Sequence, residues 1–118
     1  MYGLPQNTNL DFLKGETLIQ ACFGANDLIL NFSGNVSIAI FSSVGLGVDS
    51  ENMKRHTVFE EAAGEILALL SKDVAAVSWT PNGTITLRFD NGNVIEIYDD
   101  SASFESYTVT SSRGLIVV

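Results

Sequence analysis

A self-match between two β-type stretches constrains this chain more than any other feature. Sliding residues 17–43 onto 74–100 by 57 positions, without a gap, sets Leu28 on Ile85, Leu30 on Leu87 and Phe32 on Phe89. The same shift sets Ile38 on Ile95, Ile40 on Ile97 and Phe41 on Tyr98. Both stretches alternate apolar with polar residues and are broken by Gly and Asn, the signature of half-buried strands. Their loops coincide too, Gly24-Ala25-Asn26 against Pro81-Asn82-Gly83. Two explanations fit: a true internal duplication, or two β-meanders that align because they share an alternation. Under either, the halves share three-stranded geometry, with strands near 17–23, 27–32 and 36–42, then near 74–80, 84–90 and 93–98. Further strands are expected near 104–110 and 114–118, and residues 1–14 read as an irregular lead-in.

Between the meanders the period changes. Phe59, Ala62, Ala63, Ile66, Leu67 and Leu70 form a stripe at helical spacing, which predicts one amphipathic helix over about 57–71. Thr57-Val58-Phe59-Glu60 has the capping-box pattern, and Glu60, Glu61 and Glu65 suit the positive end of a helix dipole. Gly64 costs such a helix up to ~1 kcal/mol relative to Ala, which close approach to a sheet would explain. The stretch from Ser42 to Asp49 carries glycines and reads as a crossing between the meander and the helix.

Face parity sets the hairpins. A two-residue Asn91-Gly92 turn would place Leu87 opposite Glu96, a carboxylate on the apolar face. A three-residue loop, Asp90-Asn91-Gly92, places Leu87 opposite Ile95 and Ile85 opposite Ile97, with Gly92 in the left-handed region. The first meander allows the same solution, with Ser33-Gly34-Asn35 as loop and Asn35 left-handed. Arg88, Thr84, Thr86 and Glu96 then share the wet face. The resulting fold class is α+β: two antiparallel β-meanders flanking one amphipathic helix, with the sheet strongly curved or split into two packed sheets. At 118 residues the chain is a single domain, 1–118.

Charge and composition exclude several functions. Fourteen acidic against six basic side chains leave −8, which argues against nucleic acid as a partner. The longest apolar runs fall far short of the ~20 residues that span a bilayer, so no membrane association is expected. One cysteine precludes an internal disulfide, and the N-terminal stretch has neither a basic nor an apolar leader region. A cytoplasmic location is the expectation.

The densest polar constellation runs from Tyr98 through Asp99, Asp100, Ser101, Ala102, Ser103, Phe104, Glu105 and Ser106 to Tyr107. Its three carboxylates have no basic residue near them in sequence, since Arg88 and Arg113 are the only ones after Lys72. One reading is a recognition surface in which Tyr98, Asp99, Asp100, Glu105 and Tyr107 bind a basic protein partner, with the tyrosines as uncharged anchors. The other is a structural turn in which Asp and Ser satisfy local amides. The spacing matches no calcium-loop pattern, and neither a metal nor another cofactor is expected. Cys22 and His56 are the only Cys and His, but nothing in their spacing brings them together as a nucleophile–base pair. Trp79 can stack a ligand ring or plug the edge of the core.

The C-terminal part carries a resemblance. Phe89-Asp90-Asn91-Gly92, the apolar strand after it, Tyr98-Asp99-Asp100-Ser101 and Phe104-Glu105-Ser106-Tyr107 resemble a group of small uncharacterised bacterial proteins with an aromatic-Asp-Asp-Ser turn. Weaker similarity runs through Phe12-Leu13-Lys14-Gly15 and the first meander. The resemblance implies no catalytic activity, and small acidic proteins of this kind include immunity proteins for toxins. Combined with the absence of any nucleophile–base constellation, the expected function is a non-catalytic interaction domain. The alternative is a small-ligand-binding or hydrolytic domain using the Asp99–Tyr107 loop. Finally, Leu115-Ile116-Val117-Val118 is apolar on both faces. As an edge strand it invites a homodimer; otherwise it lies centrally in its own sheet.

Overall fold

The computed structural model describes residues 3–49, 52–101 and 104–118. Positions 1–2 of the lead-in and 102–103 of the polar constellation therefore lie outside the described residues. The strands are β1 (Leu18–Phe23), β2 (Leu28–Phe32), β3 (Val36–Ile40), β4 (Ser43–Gly47), β5 (Lys54–His56), β6 (Val74–Trp79), β7 (Ile85–Phe89), β8 (Val94–Tyr98), β9 (Tyr107–Ser111) and β10 (Gly114–Val117). They form two five-stranded antiparallel sheets, ordered β1-β2-β3-β9-β10 and β6-β7-β8-β4-β5. Each sheet is a meander of consecutive strands extended by a hairpin from the other half of the chain.

The pairing pattern repeats from one sheet to the other. β1 carries a bulge between Leu18 and Gln20 against β2, and β6 carries one between Val74 and Ala76 against β7. Ile38 and Ile40 face Val109 and Tyr107, just as Ile95 and Ile97 face Leu46 and Val44. The correspondence reaches back into the lead-in, which is not wholly irregular. A 3-10 turn at Asp11–Leu13 buries Leu10 and Leu13, as the turn before β6 buries Ile66 and Leu69. Gly15 (φ 89°) and Ser71 (φ 68°) end these turns with positive φ. The Gly15 N–H donates to the Val74 carbonyl and the Ser71 N–H to the Leu18 carbonyl. Between the halves, Thr17 bridges Asp73 and its hydroxyl donates to the Asp73 carboxylate at 2.5 Å.

Both hairpins adopt the three-residue loop. Leu87 pairs with Ile95 and Ile85 with Ile97, and Gly92 has φ 90°. In the first meander Phe32 pairs with Val36, and Gly34 and Asn35 both have positive φ. Face matching overrides the preference of Asn-Gly for a tighter turn, because the shorter loop would bury Glu96. The core lies between the sheets, where β2, β3, β7 and β8 bury alternate residues, β1 and β6 bury Leu18 and Val74, and Phe59, Ala62, Ile66 and Leu69 join them.

Several expectations fail. The helix over 57–71 shrinks to a 3-10 turn at Phe59–Ala62 followed by α1 (Ala63–Leu67). Val58 rather than Thr57 stands at the cap, with no side-chain hydrogen bond, so the capping box is not made. Beyond α1 the bonds Leu70 N–H to Leu67 O and Lys72 N–H to Leu69 O span three residues, tightening the chain into Ser71. Tethering Ser71 to β1 outweighs helix propensity. Nor does Gly64 mark a close approach, since a side chain there would meet nothing within 4 Å. The stretch 42–49 is also not a plain crossing but contains β4, at the middle of the hairpin exchange. Its glycines fit a strand because a side chain at Gly45 would strike the Tyr98 hydroxyl and one at Gly47 the Asn52 carbonyl.

Candidate functional site

The 98–107 constellation divides between the interior and the surface. Tyr107 opens β9 on the core side, fully buried, and its hydroxyl donates to the Gly83 carbonyl at 2.6 Å. Burial, then the Asp99 charge, pushes its pKa well up, so it stays a neutral donor. Asp99 is buried as well. One oxygen accepts from the Gly3 N–H at 2.7 Å and the other from the Ser106 hydroxyl at 2.7 Å. Ser106 in turn accepts the Ser101 N–H at 3.0 Å. Tyr107, expected as a surface anchor, and Asp99, expected as a surface acid, are thus corrected to groups that bind the ends of the two sheets together. A ring with no exposed area has nothing to offer a partner.

Tyr98 and Asp100 sit in a polar ladder across the outer face of the second sheet. Thr86 donates to Glu96 at 3.1 Å and the Tyr98 hydroxyl donates to Glu96 at 3.0 Å. The Arg55 guanidinium lies 4.0 Å from the centroid of the Tyr98 ring and pairs with Asp100, which also accepts the Ser43 hydroxyl at 2.5 Å. Burial, the Glu96 hydrogen bond and the Glu96 charge raise the Tyr98 pKa to about 12, against an opposing pull from Arg55. Burial also works against the Asp100 carboxylate. Hydrogen bonds from Ser43, Arg55 and Ser42 outweigh it and hold the pKa below the ordinary carboxylate value. The expectation that no base neighbours these acids fails, because β5 brings Arg55 across from the other half.

Glu105 belongs to neither the buried cluster nor the ladder. With Phe104 it forms one wall of a cleft of about 610 Å³, whose other walls are Ala25 and Asn26 after β1, Phe41 after β3, and residues 57–60. Phe104 is 62% exposed and Val58 47%. Glu60 and Glu105 supply acid at the rim, and no basic side chain among the described residues lines the cleft. This combination of apolar walls and acidic rim suits an apolar group carried beside a positive charge. Sequence reasoning found Glu105 but not Phe41, Val58 or Glu60. The missing signal was an exposed apolar residue, Val58, inside an otherwise acidic turn.

Other candidates resolve simply. Cys22 lies on β1, with the Asn31 amide 3.8 Å from its sulfur, whereas His56 lies on β5 of the other sheet. They form no pair. His56 is buried opposite Val44, and its Nε2 has no hydrogen-bond partner among the described residues, with Glu65 at 4.0 Å. Trp79 is partly buried against the core. No group of three or more His, Cys, Asp or Glu among the described residues is placed to hold a metal ion. No helix among them is long and apolar enough to cross a membrane.

No curated protein and no solved structure matches the chain. A family model does, over residues 10–118, beginning at the buried Leu10 from which the two halves correspond. The chain belongs to that family, described as a family of unknown function (DUF6188).

Proposed function

We propose that this is a non-catalytic interaction domain whose acidic cleft receives a basic protein partner. The cleft between Ala25, Phe41, Val58 and Phe104, rimmed by Glu60 and Glu105, carries the reading. An exposed Phe is the kind of side chain that dominates binding energy, and the surrounding carboxylates select the sign of a partner and speed its approach. The net charge of −8 extends that field beyond the cleft. A bacterial, cytoplasmic domain of this kind fits an immunity-type role, in which the partner is a basic toxin. The cleft volume also falls in the small-molecule range of ~300–1,000 Å³. The hydrolytic alternative loses ground because Asp99, Ser106 and Tyr107 spend their polar atoms on one another, Gly3 and Gly83.

The test uses purified products of the flanking genes, with association measured against a salt series. Glu60→Gln/Glu105→Gln should slow association and flatten its salt dependence, whereas Phe104→Ser should speed dissociation tenfold or more, about 1.4 kcal/mol. Asp100→Asn, tied to Arg55 outside the cleft, should leave binding unchanged. If a partner binds the cleft variants as well as the parent chain, the cleft is not the site.

A further inference from the structure

The two outer sheet faces differ in kind. On the first sheet, pairing register turns Ile29, Asn31, Ser37, Ala39, Thr108 and Thr110 away from the core, and none is charged. The outward residues of β10 are Leu115 and Val117, 62% and 44% exposed. The second sheet presents Arg55, Glu96 and Arg88 instead. The outermost hairpin strands differ in the same way. β5 is fringed by exposed Lys54 and Arg55, the usual means of stopping a sheet from adding strands, while β10 has no charge in Gly114–Val117.

β10 also presents its backbone outward in a defined pattern. Val118 and Tyr107 exchange N–H and C=O bonds, so in the alternating antiparallel ladder Ile116 bonds inward to β9. Leu115 and Val117 therefore turn their N–H and C=O groups to the free edge. We propose that β10 pairs antiparallel with β10 of a second copy about a twofold axis at Ile116. In that register Leu115 of each copy faces Val117 of the other, both on the outer face, and the outward N–H and C=O groups of each pair exchange bonds. Ile116 faces its own counterpart. A second copy is the occupant that fits best, because this face carries no acid to attract a basic partner. It is also the stretch where a chain of −8 meets its like without placing charge against charge.

Sedimentation velocity of the full chain over a concentration series tests this, with hydrogen exchange followed at individual amides. The weight-average sedimentation coefficient should rise toward that of a dimer. The Leu115 and Val117 amides should gain protection in step. Leu115→Lys/Val117→Lys should remain monomeric with unchanged circular dichroism, whereas Lys54→Ser on the opposite hairpin should dimerise as before. A parent chain that stays monomeric throughout overturns the proposal. So does dimerisation without added protection at Leu115 and Val117, a reading that needs no variant to fold.

Discussion

The two halves share meander, bulge and loop, but part company at the hairpins and the links leading into them. In the first half only Phe41 and Ser42 separate β3 from β4; in the second, residues 99–106 separate β8 from β9. The longer link buries Asp99 and Ser106 and projects Phe104 and Glu105 into the cleft. The first hairpin ends in Lys54 and Arg55, the second in an uncharged strand. What the halves have in common closes the core, and where they differ lie the surfaces able to meet something else. The polar ladder is the exception: it has no counterpart on the first sheet, yet Arg55 and Asp100 are occupied with each other.

Substitutions at corresponding positions can break or sharpen that comparison. Tyr107 stands on the first sheet where Val44 stands on the second. Tyr107→Ala should cost about 3–5 kcal/mol in denaturant unfolding, and Val44→Ala distinctly less, because more buried atoms are removed at Tyr107. Tyr107→Phe isolates the hydroxyl: about 1–3 kcal/mol for leaving the buried Gly83 carbonyl unpaired. Equal losses at the two Ala sites would show that the extra ring does nothing the smaller residue does not.

Gly92 and Asn35 occupy the same place in the two hairpin loops, at φ 90° and 60°. A side chain at Gly92 meets nothing within 4 Å, so any cost is backbone strain alone. Gly92→Val should destabilise by about 1–2 kcal/mol, and Gly92→Asn by much less, since Asn tolerates the left-handed region. Calorimetry showing equal effects for Val and Asn would remove the conformational explanation. Gly64→Ala should go the other way, raising stability by up to ~1 kcal/mol, because the helix gains propensity and nothing is struck.

The smallest effects concern the ladder, which has no counterpart on the first sheet. Asp100 titrates below its ordinary value, so its contribution is present above the usual carboxylate range and is lost as pH falls through the lowered folded value. Asp100→Asn should flatten the acid limb of stability against pH. Tyr98, raised to about 12, contributes below pH ~10, the unfolded value, and loses that contribution as pH climbs through about 12. Tyr98→Phe should flatten the alkaline limb. Limbs unchanged in both variants would mean the ladder is decoration on the sheet.

Alternation made most of the fold legible. Leu87 against Ile95 followed from parity, because a one-residue slip would bury Glu96. What escaped was β4 and β5: Ser43-Val44-Gly45-Leu46-Gly47 looks like a linker until the Tyr98 hydroxyl is seen to fill the space above Gly45. Lys54-Arg55-His56 has no apolar alternation because it pairs on one side only. Missing that hairpin hid Arg55 from Asp100. The polar segment misled for a related reason: Asp and Tyr residues suggest a surface, yet Asp99 and Tyr107 are buried against partners distant in sequence, Gly3 and Gly83. Glu105 and Asp100 are exposed, but Asp100 is held by Arg55. The helical stripe held only in part: Phe59, Ala62 and Ile66 are buried, but Leu67 is 46% exposed and Leu69, off the stripe, takes the buried place, because the chain tightens after α1.

The exchange of hairpins also sets an order of events during synthesis. Ser37 pairs with Thr110, so the inner edge of β3 waits for strands near the far end of the chain. Closing so long a loop costs entropy before any contact repays it, which predicts slow, highly cooperative folding. A ribosome that has made only the first half holds out a three-stranded meander with one edge unmatched and a hairpin with no sheet to join. Such an intermediate invites a neighbouring nascent chain to supply β9, turning an internal exchange into one between molecules.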